Sequence, residues 1–152
     1  MKNDRHTIEM IRQVATAKGR KQLGLFSIEG TRLHERAIRA GWEIDSAVIA
    51  PTYGEKEREQ TVLEALSAAS ATIITIPQAE FEKLTGGRDL GLILGLVRPK
   101  HFPTWHDLLS SSPAILLIAV DIIDPGNIGS LIRSAHGLGA KAFIAVGGSD
   151  PF

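Results

Sequence analysis

Asp124-Pro125-Gly126-Asn127-Ile128-Gly129-Ser130-Leu131-Ile132-Arg133-Ser134-Ala135 is the stretch from which the rest of the chain is read. An apolar run, Ala114 to Val120, leads into it. A short, uniformly hydrophobic segment that ends in a turn signal predicts a buried parallel strand. Asp124-Pro125-Gly126 reads as the turn, because proline presets one dihedral and glycine permits the next. Asn127 then stands where a helix N-cap belongs. Ile128, Leu131, Ile132, Ala135 and Leu138 recur at i, i+3, i+4, i+7 and i+10, which predicts one apolar helical face. Asn127, Ser130, Arg133 and Ser134 fall together on a different face. Gly139 closes the helix, and Ala142 to Val146 predicts the next strand. The result is a β-turn-α-β unit with a polar stripe turned away from its core.

A polar stripe at the carboxyl end of a parallel strand is a common place for a ligand. Two readings fit the spacing. In one, Asn127 caps the helix and Arg133 is a solvated charge. In the other, the stripe is a site. Spacing alone leaves both open.

The string itself says more. Asp124 to Ala135 resembles the first signature motif of the SpoU/TrmH family of RNA ribose 2′-O-methyltransferases, part of the SPOUT class. The resemblance covers a dozen consecutive positions, including the turn, the asparagine and the arginine six residues later. It implies S-adenosylmethionine as methyl donor and RNA as substrate, with Arg133 and Asn127 as catalytic residues. A ribose hydroxyl is a poor nucleophile until its proton is removed or its developing charge is stabilised. In the family the arginine matching Arg133 is assigned to the 2′-hydroxyl, helped by an RNA phosphate. The asparagine matching Asn127 helps to arrange the site. Arginine normally stays protonated, so positioning and stabilising the oxyanion is the role the resemblance implies.

The amino-terminal part resembles the same family. Lys18 and Arg20, followed by Phe26-Ser27-Ile28-Glu29-Gly30, are similar to the opening of the substrate-binding domain found ahead of many SpoU catalytic domains. That domain is similar in fold to a ribosomal protein that binds kinked RNA. The resemblance implies RNA-phosphate contacts by Lys18, Arg20 and Lys21, since phosphate binding calls for a point or forked cation. Read without it, Glu29-Gly30 is a tight turn with a carboxylate at a helix amino end. The chain departs from the family before the last strand of this part. Relatives often carry Thr-x-x-Pro-Gln-Gly there, whereas this sequence has Leu84-Thr85-Gly86-Gly87-Arg88-Asp89-Leu90-Gly91.

Composition sets the bounds. The 152 residues are enough for one ordinary domain or two small ones, and 43% hydrophobic residues support a buried core. With no cysteine, disulfides and thiolate chemistry are excluded. His6, His34, His101, His106 and His136 show no ligand spacing, so no metal is expected. No apolar run reaches membrane-spanning length and the start lacks a signal-peptide core, so a cytoplasmic protein without a membrane partner is the expectation. Net charge is zero, but its distribution is uneven. Residues 1–40 hold nine Lys or Arg against four Asp or Glu, and the remainder holds eight against thirteen. A basic amino-terminal segment on a neutral chain is a phosphate-contacting surface or simply a solvated face.

In chain order, Asn3 to Ala17 predicts an amphipathic helix with Ile8, Ile11, Val14 and Ala15 inward. Lys18-Gly19-Arg20-Lys21 is a basic turn and Leu25 to Ile28 a short strand. Leu33, Ala37 and Ile38 mark a helix that Gly41 stops. Strands at Ile44–Ile49, Thr72–Ile76 and Leu90–Val97 alternate with helices at Glu55–Ala69 and Gln78–Leu84, the pattern of a layered α/β domain. Arg98-Pro99-Lys100-His101-Phe102-Pro103 is the linker, stiffened by two prolines. Trp105, Leu108 and Leu109 predict a short helix in which the tryptophan packs rather than stacks on a base.

The fold class expected is therefore α/β in two parts. A small α/β/α RNA substrate-binding domain (1–97) and a linker (98–103) precede the amino-terminal portion of a SPOUT, or α/β-knot, methyltransferase domain (104–152). The resemblance implies roughly a hundred further residues carrying the remaining motifs and the knot that holds S-adenosylmethionine, so the cofactor site is expected beyond Phe152. It further implies ribosomal RNA as the favoured substrate, a homodimer when full length, and no activity from these 152 residues alone. A stand-alone RNA-binding module is the alternative, but it leaves Asn127 and Arg133 unexplained. A nucleotide-binding α/β enzyme ranks last, because no G-x-G-x-x-G or P-loop lysine is present.

Overall fold

The computed structural model describes residues 2–88, 91–100, 104–110 and 115–148, with side chains from Asp4 onward. Leu90, the end of the linker (101–103), Ala114 and residues 149–152 lie outside the described residues. The chain divides into two compact units, Met1–Lys100 and His101–Phe152.

In the first unit, α1 (Lys2–Val14), α2 (Ala17–Leu23), β1 (Phe26–Glu29), α3 (Thr31–Arg39), β2 (Glu43–Ile49), α4 (Glu57–Ala68), β3 (Thr72–Thr75), α5 (Gln78–Thr85) and β4 (Ile93–Arg98) follow in order. The sheet order is β1-β4-β2-β3. β4 runs antiparallel to both β1 and β2, and β2 runs parallel to β3. β2 and β4 are central and apolar on both faces. Ile8, Ile11 and Val14 of α1 and Phe81 of α5 pack with Val48, Leu94 and Leu96. Val62 and Leu66 of α4, with Ala37 and Ile38 of α3, pack with Ala47, Ile49, Ile93 and Val97. Period-2 alternation along β4 feeds two separate cores, and the unit is a three-layer α/β/α sandwich.

Two local expectations change. The first helix is two helices, because Thr16 caps a new one: it is extended (φ −107, ψ 147) and its hydroxyl accepts the Gly19 N–H at 3.0 Å. Lys18 to Lys21 therefore lie on α2 rather than in a turn, and Ala15 is exposed. Glu29 ends β1 instead of starting a helix, and Gly30 makes the break at φ +86.

The second unit holds α6 (Trp105–Leu109), β5 (Leu116–Val120), α7 (Pro125–Gly137) and β6 (Ala142–Val146), with β5 and β6 parallel in one two-stranded sheet. The expected burial of Ala114 to Val120 does not hold. Ala119 is buried, but Ile115, Ile118 and Val120 are 65%, 59% and 58% exposed. A parallel strand is buried only where both of its faces are covered. Ala119 lies on the covered face, and Ile118 and Val120 alternate onto the open one. The apolar face of α7 is likewise narrower than predicted. Ile128 and Ala135 are buried, whereas Ile132 and Leu138 are exposed. Trp105 is 61% exposed, so it is not the packing residue expected; Leu108 fills that place.

Candidate functional site

α7 leaves the carboxyl end of β5 through Asp121 to Asp124. Asp124 is extended (φ −76, ψ 118), and its Oδ1 accepts the Asn127 N–H at 2.7 Å. Asp124, not Asn127, is the N-cap, and Asp124-Pro125-Gly126 is the entry to the helix rather than a turn before it. Pro125 occupies the first helical position, where its missing N–H costs nothing and its fixed φ suits the helix. Asn127 becomes the third helical residue. Its backbone satisfies the cap, and its exposed side chain has no part in that bond.

Ser130 and Arg133 form a short relay along the same face. The Ser130 hydroxyl donates to the Gly126 carbonyl at 3.0 Å, and Arg133 Nη2 donates to Ser130 Oγ at 3.0 Å. The guanidinium lies back along the helix over Gly129, where a Cβ would stand 3.3 Å from Nη1. Asn127, Ser130 and Arg133 are all exposed at i, i+3 and i+6, so the helix presents one amide, one hydroxyl and one forked cation on a single side. Such a group can hold a phosphate oxygen bidentately and donate to a second oxygen beside it.

The carboxyl ends of β5 and β6 close on each other. Gly147 and Gly148 follow β6 at φ +64 and +63. A Cβ on Gly147 would overlap the Asp121 carboxylate, and one on Gly148 would overlap the Ile122 carbonyl. The described residues thus bring the two loops at the carboxyl ends of the strands into close contact. Among the described residues, no group of three or more His, Asp or Glu converges to hold a metal, and no helix is long and apolar enough to cross a membrane.

In the first unit, Lys18 and Lys21 of α2 are exposed. Arg20 is half-buried and donates from Nη1 to the Val14 carbonyl at 3.0 Å, which satisfies the carboxyl end of α1. Three further arginines of the basic amino-terminal segment, Arg32, Arg36 and Arg39, are exposed along α3. Their i, i+4, i+7 spacing was visible in the sequence. At the edge strand, Glu29 Oε2 pairs with Arg88 Nη2 at 3.0 Å, in the segment where the sequence departs from the family. Burial pushes the Glu29 carboxyl above its ordinary range, against the opposing charge of Arg88. His34 of α3 is fully buried, with Nδ1 2.9 Å from the Gly30 carbonyl, and burial pushes its pKa down.

The fold and site define a two-unit α/β chain, a sandwich followed by a parallel βαβ unit with a polar stripe on its helix. Residues 5–89 match the MRM3-like substrate binding domain, and the chain belongs to that family. The chain is 28% identical over 96 residues to the 23S rRNA (guanosine-2′-O-)-methyltransferase RlmB of Coxiella burnetii, covering 60% of this chain and 38% of that protein. It superposes on an RNA 2′-O ribose methyltransferase with a TM-score of 0.71 at 32% identity, covering 95% of this chain and 54% of the other. It also superposes on the AdoMet-bound rRNA methyltransferase of Sinorhizobium meliloti, with a TM-score of 0.79 at 24% identity, covering 96% and 53%. The chain therefore spans about half the length of these solved structures and little more than a third of the curated relative.

Proposed function

We propose that residues 1–100 bind the RNA substrate and that the second unit supplies the hydroxyl-handling half of an S-adenosylmethionine-dependent ribose 2′-O-methyltransferase site. The observation that carries this reading is the Asn127–Ser130–Arg133 stripe on the helix that leaves β5. Arg133 offers two N–H groups in one plane, suited to an RNA phosphate and to the neighbouring 2′-oxygen as it gains charge. Ser130 fixes the guanidinium from one side, and Asn127 donates or accepts one turn away. S-adenosylmethionine would supply an activated methyl group, and the AdoMet-bound Sinorhizobium structure to which this chain is similar supports that. The name of the Coxiella relative favours ribosomal RNA. A homodimer when full length and a cytoplasmic location go with the same reading.

The test is methylation of ribosomal RNA by the intact gene product with a labelled methyl donor, followed by nucleoside mass spectrometry. Appearance of a 2′-O-methylated nucleoside that disappears in Arg133→Lys supports the proposal. Methylation on a base, or activity unchanged in that variant, sinks it.

A further inference from the structure

α3 carries Arg32, Arg36 and Arg39 within about 60° of one another around its axis, at 100° per residue. His34, Ala37 and Ile38 lie on the opposite side, where His34 is buried and Ala37 and Ile38 pack into the core. The three arginines therefore point straight out. The row spans ~10 Å along the helix, since each residue rises about 1.5 Å. Glu35, which flanks the row, is already bound by Arg58 of α4 through both of its oxygens. The Arg58 hydrogen bond is the main cause that lowers the Glu35 pKa; the charges of Arg39 and Arg32 add least to it and those two arginines take no part in that pair. Neutralised at its acidic neighbour, the row keeps its charge for an external anion. By contrast, Arg20 of α2 spends a hydrogen bond on the end of α1.

We infer that the Arg32–Arg36–Arg39 row of α3 is the main phosphate-contacting surface of the first unit, tracking the backbone of the RNA. This rests on the reading of that unit as the RNA-binding part. Three forked cations in a line suit consecutive phosphates better than they suit a single small anion. A lipid surface fits less well, because Ala37 and Ile38 of α3 pack into the core and Leu33, 44% exposed, is the one large apolar side chain the helix offers for insertion.

The experiment measures binding of a fluorescent, structured RNA hairpin to the full 152-residue chain by anisotropy over a series of salt concentrations. Replacing Arg32, Arg36 and Arg39 together by Ala should weaken binding at least tenfold at low salt. It should also reduce the slope of log K against log salt by about two, since each lost contact removes roughly 0.7–0.9. The triple lysine variant should keep most of the slope. Should the triple alanine variant melt at lower temperature, R36E alone reads the same effect from the middle of the row. If K18A/K21A abolishes the slope while the α3 variants bind like wild type, the α3 row is overturned and the RNA-binding reading stands. If wild type does not bind the RNA, or binds anionic vesicles instead, both fall.

Discussion

Arg88 Nη2 lies 3.0 Å from Glu29 Oε2, while Oε1 of the same carboxylate is buried with no hydrogen-bond partner. Burial raises the Glu29 pKa and the charge of Arg88 only partly offsets it. The native state then binds a proton more readily than the unfolded chain does. Between the unfolded and folded pKa values, stability falls as pH rises, and the cost is relieved on acidification. Thermal midpoints at pH 7 and pH 5 should therefore differ less favourably toward neutral pH in wild type than in Glu29→Gln. Arg88→Ala leaves a buried carboxylate unpaired and should cost about 1–2 kcal/mol at pH 7, and less at pH 5. Equal pH dependence of wild type and Glu29→Gln would contradict this.

His34 works in the other direction. Its folded pKa lies below the ordinary value of about 6.5, so the unfolded state binds more protons and stability drops as pH falls through that region. The effect is cleanest in a Glu29→Gln background, where denaturant midpoints at pH 7 and pH 5.5 should show a loss at the lower value. The ring also needs Gly95 beneath it, because a Cβ at 95 would overlap Nε2. Gly95→Ala should cost about 1–3 kcal/mol, measured by chemical denaturation at neutral pH. A cost within 0.5 kcal/mol, roughly the scatter of surface substitutions, would mean the helix shifts freely.

The layered sandwich was legible because β4 is a near-continuous apolar run, β2 ends in one at Ala47–Ile49, and α1 and α4 carry helical periodicity. The break between α1 and α2 was not. It turns on Thr16 offering a hydroxyl to Gly19 and on how closely two backbones can approach, neither of which periodicity reports. The cap of α7 was misplaced by three residues, since Asp124 and Asn127 are both good cap residues and only the geometry of Pro125 separates them. Exposure of Ile118 and Val120 could not be read from hydrophobicity, which says what a residue prefers and not what covers it. The stripe from Asn127 to Arg133 was legible as a face; the Ser130 bond that orients the arginine was not.

Gly19 holds α2 against the last turn of α1: a Cβ there would overlap the Gln13 carbonyl. Backbone cannot move aside as a side chain can, so Gly19→Ala should lower stability by about 2 kcal/mol and separate the helices. The bond from Arg20 to Val14 should break with it. Hydrogen exchange at Gly19 and Arg20 would report the opening, and unchanged protection would show that α2 adapts without leaving α1.

Asp124, Asn127 and Arg133 separate folding from chemistry. Asp124 is the cap, so Asp124→Ala should cost about 1 kcal/mol in the second unit. Asn127→Ala leaves the cap bond intact, because only the backbone of Asn127 takes part in it. Its cost should stay within about 0.5 kcal/mol, the range for exposed positions. If Asn127 arranges the reacting groups, turnover in the intact protein should fall far more than the folded fraction does. Arg133→Lys keeps one charge but loses the planar fork that reaches Ser130 and a second oxygen at once. It should nearly abolish methylation while donor affinity, read by calorimetry on the intact protein, stays close to wild type. Full activity in Arg133→Lys would mean that charge alone suffices. Loss of donor binding would mean that Arg133 supports the donor side of the site, and the assignment of this helix to the hydroxyl would have to be given up.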